Sequence, residues 1–216
     1  MPGVISNLKN NYPVKSSRLL SWIGRLYFRL AGWRLEGEIP NEPKLVIIAA
    51  PHTSNWDGWH LVMASWAIRL RCRWMVKKEF MRVPLVGLFI RLTGGLPINR
   101  QASHNAVKAA VDAFKTNEHL ILVIAPEGTR SKLDHWKTGF YFIAKEANVP
   151  LLAARMDYGR KVIDFITPEP LTGDLEHDIE VIWNLYRPPI RGLYPENQND
   201  FKLRPRDIKR GEELSK

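Results

Sequence analysis

A histidine and an aspartate with four residues between them, His52 and Asp57, follow directly on the apolar run at 45–50. Such a run is typical of a buried strand, and Pro51 ends it because proline has no N–H for a sheet ladder. The Thr-Ser-Asn sequence at 53–55 then provides good helix N-caps. We therefore expect the pair where a strand ends and a helix begins, which is where ligands bind in open α/β sheets. A neutral imidazole oriented by a carboxylate is a general base. The alternative is structural, with His52 only starting the helix and Asp57 favoured there by the helix dipole.

Two further strand ends carry polar groups. One predicted short strand ends at Arg100, and another leads into Glu127, Gly128, Thr129 and Arg130. Arginine suits phosphate because its planar guanidinium makes paired, charge-assisted hydrogen bonds. Glycine at 128 would let the backbone approach a ligand closely. These loops predict an anion-binding site, unless Arg100 and Arg130 instead pair with acids such as Glu127.

The elements that must position these groups alternate along the chain between strand and helix patterns. Strands are predicted at 34–40, 44–50, 73–78, 94–100, 119–125, 149–154 and 161–165, and helices at 55–70, 83–92, 103–117, 136–147 and 174–186. This order predicts the α/β class, with a single domain at 41–187 built on a central mixed, largely parallel sheet flanked by helices.

The ends of the chain differ from this domain. Residues 14–33, within an N-terminal segment at 1–40, form a candidate amphipathic helix with arginines opposite a face of Trp, Leu and Ile. Two interpretations stay open, a helix lying in a membrane interface or one packed on the core with a solvated arginine face. The polar stretch at 188–216 is interpreted as a C-terminal tail that is loop or loosely attached.

The net charge of +10 is concentrated in one half of the chain. Residues 1–100 contain 15 Lys or Arg and 5 Asp or Glu, whereas the remaining residues contain 17 of each. This asymmetry favours an anionic partner, either a membrane surface or nucleic acid.

The single cysteine, Cys72, excludes an internal disulfide. The sequence has no apolar segment of the ~20 residues that a spanning helix needs, and we expect no secretory signal because residues 1–12 are polar.

Four segments together resemble the glycerolipid acyltransferase family, which includes the lysophosphatidic acid acyltransferases. His52 and Asp57 match its His-x4-Asp motif, and 94–100 resembles its Gly-Gly-apolar-Pro-apolar-x-Arg segment. Residues 126–131, Pro-Glu-Gly-Thr-Arg-Ser, match its third motif fully, and 149–152 resembles its Val-Pro strand. Their order and spacing also agree with the family. The match departs from it at Pro51, where many members have Asn, and at Asn99, where Asp is frequent.

This resemblance implies transfer of a fatty acyl group from acyl-CoA or acyl carrier protein to a lysophospholipid, most plausibly lysophosphatidic acid, in phospholipid biosynthesis. His52 would be the base and Asp57 would orient it. The implied substrate-binding residues are Lys77, Arg100, Glu127, Gly128, Thr129 and Arg130. No metal or tightly bound cofactor is expected, and the enzyme would lie peripherally on the cytoplasmic face of an anionic membrane, with no nucleic acid as partner.

Three alternatives to this activity remain. The enzyme could acylate glycerol-3-phosphate or another lipid alcohol. The chain could instead be a non-catalytic basic module that binds lipid or nucleic acid, although no nucleic-acid fold signature appears. A metal hydrolase using His52, Asp57 and His60 is the third, but it lacks a further ligand cluster.

Overall fold

The structure is a computed structural model that describes residues 17–98, 103–187 and 190–214. Within these residues the α-helices are α1 (Arg18–Ala31), α2 (Asn55–Ala67), α3 (Pro84–Thr93), α4 (Ser103–Thr116), α5 (Gly139–Ala147), α6 (Leu175–Tyr186) and α7 (Pro205–Leu214). The strands are β1 (Arg34–Gly37), β2 (Lys44–Ala50), β3 (Cys72–Lys77), β4 (Gly95–Ile98), β5 (Leu120–Ile124), β6 (Leu151–Asp157) and β7 (Val162–Ile166). No described helix is both long enough and apolar enough to cross a bilayer.

The seven strands form one sheet in the order β1-β7-β6-β2-β5-β3-β4. All neighbours are parallel except the antiparallel pair β6 and β7. The predicted α/β fold with a mixed, largely parallel sheet is therefore confirmed. Strand β2 lies between β5 and β6, with Ile48 opposite Ile124 and Ala50 opposite Arg155. The carboxyl ends of these three strands consequently meet at one edge of the sheet.

Helices cover both faces of the sheet. On one face α1 and α2 pack against Leu45 and Ile47, and on the other α4, α5 and α6 pack against Val46 and Ile48. A central strand buried on both faces needs apolar residues at successive positions, which explains the uninterrupted apolar run of β2. Because β2 is buried as far as Ala50, the chain leaves the sheet immediately before Pro51 and His52.

Helix α1 packs through its small side chains. Ser21 donates to the carbonyl of Ala67 at 2.9 Å, and Phe28 is fully buried. A Cβ at Gly24 would lie 2.6 Å from the Met63 carbonyl oxygen, so glycine permits this close helix contact. The predicted helix is confirmed over Arg18–Ala31, and its predicted start at 14–17 lies largely outside the described residues. Most large apolar side chains of α1 are exposed. The helix therefore does not match the interpretation in which its apolar face is packed on the core and only its arginines are solvated.

The C-terminal segment is attached more firmly than its composition indicated. Asn199 is buried and its side-chain oxygen accepts the Leu133 N–H at 2.7 Å. The ring of Phe201 lies 5.4 Å from Trp136 and 5.9 Å from Trp183, centroid to centroid. Residues 190–204 are mainly loop, as expected, but loose attachment is wrong, because these contacts hold the segment on the domain and α7 follows it.

Candidate active site

The candidate site begins where β2 ends. Pro51 stops the strand, and His52 precedes a tight connection into α2, whose N-cap is Ser54. Ser54 and Asp57 form a capping box, in which each side chain accepts from the other residue's backbone N–H. The His52 Nδ1 atom lies 3.3 Å from Asp57 Oδ2. His52 and Asp57, which have four residues between them, are thus brought together by the strand-to-helix turn itself.

Asp57 is nearly fully buried and receives hydrogen bonds on both oxygens. Oδ2 accepts the backbone N–H groups of Thr53 and Ser54, each at 2.7 Å. Oδ1 accepts the hydroxyls of Ser54 at 2.9 Å and Tyr158 at 2.6 Å. Burial raises the pKa of Asp57, but hydrogen bonds from His52, Tyr158 and Ser54 outweigh it, so the pKa lies below its ordinary value. Asp57 is therefore an anion at neutral pH.

This contact defines what the His52 ring can do. With Nδ1–H directed at Asp57, the Nε2 atom on the opposite side of the ring carries the lone pair. The side chain is 24% exposed, so a substrate hydroxyl can reach it. The arrangement is that of a general base with an orienting acid.

The backbone N–H groups at the start of α2 are already used. Those of Thr53 and Ser54 donate to Asp57, and those of Trp56 and Asp57 donate to Ser54 Oγ. Free N–H groups at a helix start can stabilise a developing oxyanion. These four are committed to holding Asp57 and the turn, so they do not fill that role.

Glu127 reaches the site from the end of β5. Its Oε1 atom accepts the backbone N–H of His52 at 3.0 Å, across 75 residues of sequence. The side chain is 2% exposed, and Oε2 has no hydrogen-bond partner among the described residues. Burial raises the pKa of Glu127 to about 7. Glu127 therefore fixes the His52 backbone.

This raised pKa predicts a pH-dependent stability. The folded chain holds the Glu127 proton more tightly than the unfolded chain, so stability should fall as pH rises from 4.5 to about 7. The loss amounts to about 3 kcal/mol. Glu127→Gln keeps the carbonyl acceptor but cannot ionise, so urea unfolding of this variant should lack that decline. Glu118→Gln, at an exposed position, should retain it. An unchanged decline in the Glu127 variant would contradict the prediction.

The loop after Glu127 turns towards α2. Gly128 has φ of +62°, a conformation that favours glycine, and a Cβ there would lie 2.4 Å from Lys137 Nζ. Thr129 Oγ accepts the Ser131 N–H at 3.3 Å and shapes the turn. The exposed Arg130 guanidinium donates to Asn55 Oδ1 in the first turn of α2. Arg130 therefore lies beside the His–Asp turn, and the alternative pairing of Arg130 with Glu127 is not formed.

Two of the expected substrate-binding residues cannot be placed. Arg100 lies outside the described residues, as does the side chain of Lys77, although the Lys77 backbone ends β3. Strand β3 is the neighbour of β5, so its carboxyl end lies along the same edge of the sheet. Substrate binding by Lys77 and Arg100 thus stays a prediction.

Tyr158 is the site residue that sequence reasoning missed. It follows the end of β6, and its hydroxyl contacts Asp57 across 101 residues of sequence. Its N–H donates to the carbonyl of Arg191 at 2.8 Å, and Tyr194 N–H donates to Thr53 Oγ at 3.3 Å. The C-terminal segment therefore contacts both Tyr158 and the turn that carries His52. Tyr158 could have been found only from the strand order, which places β6 beside β2.

His60, the third residue of the metal-hydrolase alternative, has other contacts. Its Nδ1 lies 2.8 Å from the Trp56 carbonyl oxygen, and its Nε2 lies 3.3 Å from the Tyr27 hydroxyl. The ring is buried against Trp33, 4.4 Å between centroids. Burial lowers the pKa of His60 below its ordinary value. Both ring nitrogens are occupied, so His60 is a structural histidine of the α1–α2 interface.

Comparisons with known proteins agree with one another. A family model described as Acyltransferase matches residues 34–157. The 1-acyl-sn-glycerol-3-phosphate acyltransferase of Haemophilus influenzae is 27% identical over 192 residues, covering 79% of this chain and 78% of that protein. The enzyme of that name from Streptococcus pneumoniae is 32% identical over 116 residues, covering 53% of this chain and 42% of that protein. The beta form from Homo sapiens is 30% identical over 147 residues, covering 64% of this chain and 52% of that protein. This chain thus spans about half the length of the last two.

A solved structure shares the fold. The crystal structure of the 1-acyl-sn-glycerophosphate (LPA) acyltransferase PlsC from Thermotoga maritima superimposes with a TM-score of 0.55 at 18% sequence identity. The match covers 79% of this chain and 76% of that chain.

Proposed function

This chain belongs to the acyltransferase family, and from that premise we propose that it acylates the free hydroxyl of lysophosphatidic acid, with acyl-CoA or acyl carrier protein as donor. The observation that carries the proposal is that a His–Asp pair and a guanidinium lie at the same strand-to-helix turn. His52 lies against Asp57, and Arg130 contacts Asn55 two residues earlier. The base can act on a hydroxyl whose phosphate the guanidinium holds. The names of the curated relatives support the same acceptor.

The chemical steps follow from this arrangement. His52 Nε2 takes the proton of the acceptor hydroxyl while its oxygen bonds to the thioester carbonyl carbon. Asp57 stabilises the imidazolium that forms. When the tetrahedral intermediate collapses, the carbon–sulfur bond breaks, the thiolate leaves, and His52 returns the proton to the sulfur. Ester and free thiol are the products, and no covalent enzyme intermediate is required.

The acceptor is tested by mass spectrometry of the products. The protein is incubated with equal amounts of lysophosphatidic acid, glycerol-3-phosphate, other lysophospholipids and monoacylglycerol, with acyl-CoA or acyl carrier protein as donor. Phosphatidic acid as the main product supports the proposal. Preferential acylation of glycerol-3-phosphate would establish the first alternative instead, and turnover of monoacylglycerol alone would exclude a phosphate-binding role for the site.

Removing the Arg130 side chain should weaken acceptor binding. If the guanidinium holds phosphate equally in ground and transition states, Arg130→Ala raises the acceptor KM and changes kcat little. A charge-assisted hydrogen bond predicts a rise of roughly tenfold or more. Steady-state kinetics with lysophosphatidic acid measure this effect. Arg206→Ala, at an exposed position on α7, should leave both constants unchanged. An unaltered acceptor KM in Arg130→Ala would place the phosphate elsewhere.

We also propose that the protein binds the cytoplasmic membrane surface peripherally, through a face that we call the apolar surface. It comprises exposed large side chains of α1 and α3 and one at the start of α2: Leu19, Trp22, Leu26, Leu30, Leu85, Leu88, Leu92 and Trp56. Leu85 is 82% exposed, Leu30 79% and Leu92 74%. Soluble surfaces rarely carry so large an apolar patch without a partner.

The two helices of the apolar surface lie on one side of the molecule. The Trp59 ring of α2 lies 6.2 Å from Tyr27 of α1 and is stacked on Phe89 of α3 at 6.3 Å, centroid to centroid. Trp56 is 59% exposed and is the residue before Asp57. Thus the apolar surface extends to the rim of the candidate site, where a lipid acceptor would arrive from a leaflet. The arginines of α1 and the positive first half add attraction for anionic lipid.

Vesicle co-sedimentation tests this surface. Binding should be stronger to phosphatidylcholine vesicles that contain phosphatidylglycerol than to those without it, and added salt should weaken it. Leu30→Gln combined with Leu92→Gln should reduce partitioning at least about tenfold, because two exposed leucines no longer enter the lipid. Lys209→Gln, which removes one charge on α7, should bind as the wild type does. Equal binding by all three proteins would contradict the assignment of the apolar surface.

A further inference from the structure

Tyr158 lies at the carboxyl end of β6, directly across from the turn that carries His52. Its hydroxyl donates to Asp57 Oδ1 at 2.6 Å, whereas His52 Nδ1 lies 3.3 Å from Oδ2. The phenol is thus in the tighter of the two contacts with the carboxylate. Since β6 is parallel to β2 and paired with it, the sheet itself holds this hydroxyl opposite Asp57.

The Tyr158 ring packs against two aromatic side chains. It meets Trp33 edge-on at 4.9 Å and His60 at 5.5 Å, centroid to centroid. Its backbone N–H is bonded to the Arg191 carbonyl oxygen. Burial and the hydrogen bond to Asp57 raise the pKa of Tyr158 far above its ordinary value. The phenol is therefore protonated and can donate at neutral pH.

We propose that Tyr158 is a positioning residue for the His52–Asp57 pair, and that its hydroxyl also draws negative charge away from the carboxylate that faces the imidazole. Together with the Ser54 hydroxyl it holds Oδ1, which helps to keep Oδ2 directed at His52 Nδ1. By sharing the carboxylate charge it weakens the attraction between Asp57 and an imidazolium at His52. The second effect follows from hydrogen bonding to the charged form of an acid. Its consequence for the reaction rate rests on the proposed function.

Other ionisable groups also face the His52–Asp57 pair. They are the same in the wild type and in a variant that lacks only the Tyr158 hydroxyl. Glu127 approaches His52 from the end of β5, and His60 faces Asp57 from within α2. Arg130 lies beside Asn55, and Tyr27 of α1 faces the Tyr158 phenol. A substitution confined to the Tyr158 hydroxyl leaves each of these charges in place.

The test is Tyr158→Phe, which removes the hydroxyl and keeps the ring against Trp33 and His60. The acidic limb of log(kcat/KM) against pH should move to higher pH by about one unit, because a more negative Asp57 favours the imidazolium. Thermal unfolding should move to a somewhat lower temperature, since one hydrogen bond to a buried carboxylate is lost while the aromatic contacts remain. Tyr27→Phe is the matched control, because it removes a partly buried hydroxyl from the same aromatic cluster. The Tyr27 hydroxyl contacts His60 and not Asp57.

An NMR titration of the His52 ring in the substrate-free protein separates this inference from the proposed function. The His52 signal is assigned by its absence in His52→Ala, and its midpoint should move to higher pH in Tyr158→Phe. If the midpoint moves while lysophosphatidic acid is not acylated, the positioning role stands and the proposed acceptor fails. If neither midpoint nor acidic limb moves, or if rate falls equally at every pH, the role of Tyr158 is only structural and the inference is overturned.

Discussion

Replacing His52 with alanine is expected to lower kcat by about 10²-fold or more, the scale on which a positioned general base contributes. Nothing in the described part of the structure stands ready to replace it. Glu127 is directed at the His52 backbone, and Asp57 is enclosed by donors. The remaining rate should also lose the rise with pH that accompanies a neutral imidazole. Initial rates with saturating lysophosphatidic acid and acyl-CoA, measured between about pH 5 and 8, give both results.

The fold should tolerate this change, so the loss can be assigned to chemistry. The His52 ring is partly exposed, and its strongest structural contact, the backbone N–H to Glu127, survives in alanine. His119→Ala, at an exposed position at the amino end of β5, is the matched control and should keep full activity. A His52→Ala protein that is folded and retains nearly wild-type kcat would remove His52 from the mechanism.

Changing Asp57 to asparagine should reduce both activity and stability. Both carboxylate oxygens accept from donors: backbone N–H groups and His52 on one, and two hydroxyls on the other. The backbone N–H groups can only donate, so the NH₂ group must take the Oδ1 position, where the hydroxyls of Ser54 and Tyr158 lose their anionic acceptor. Such a mismatch costs about 1–3 kcal/mol. Loss of the charge that stabilises the imidazolium should lower kcat by about 10² to 10⁴-fold, by comparison with the same change in serine-protease triads.

Urea unfolding and steady-state kinetics together measure the two effects. Asp112→Asn, at an exposed position on α4, is the matched control and should change neither. Lost activity with unaltered stability would mean that the hydrogen bonds around Asp57 do not hold the turn. Unaltered activity with lost stability would support the structural alternative, in which Asp57 serves only the start of α2.

The amino-acid sequence by itself determined the fold class and the local geometry of the base. Alternating apolar strands and helices indicated a layered α/β domain, because each element must bury its apolar side against another layer. The His52–Asp57 contact was also readable, since Pro51 ends β2 and Ser54 caps α2 within the same short segment. Local rules govern such a turn, and local rules are what a single sequence expresses most clearly.

The family could be recognised from four motifs in order, and the matched family model confirms it. Family membership places the chain among enzymes rather than among non-catalytic basic modules. The roles of Lys77, Arg100 and the 127–130 loop in binding substrate stay predictions, to be tested by kinetics.

Tertiary structure alone decided which distant groups meet at the base. Glu127 reaches His52 across 75 residues and Tyr158 reaches Asp57 across 101. Both contacts depend on β2 lying between β5 and β6, an order that no local propensity encodes. The same holds for α1, whose packing on α2 through Ser21 and Gly24 leaves its large apolar side chains outside. Hydrophobic periodicity reveals that a helix has two faces, but the shape of the neighbouring helix selects the one that is buried.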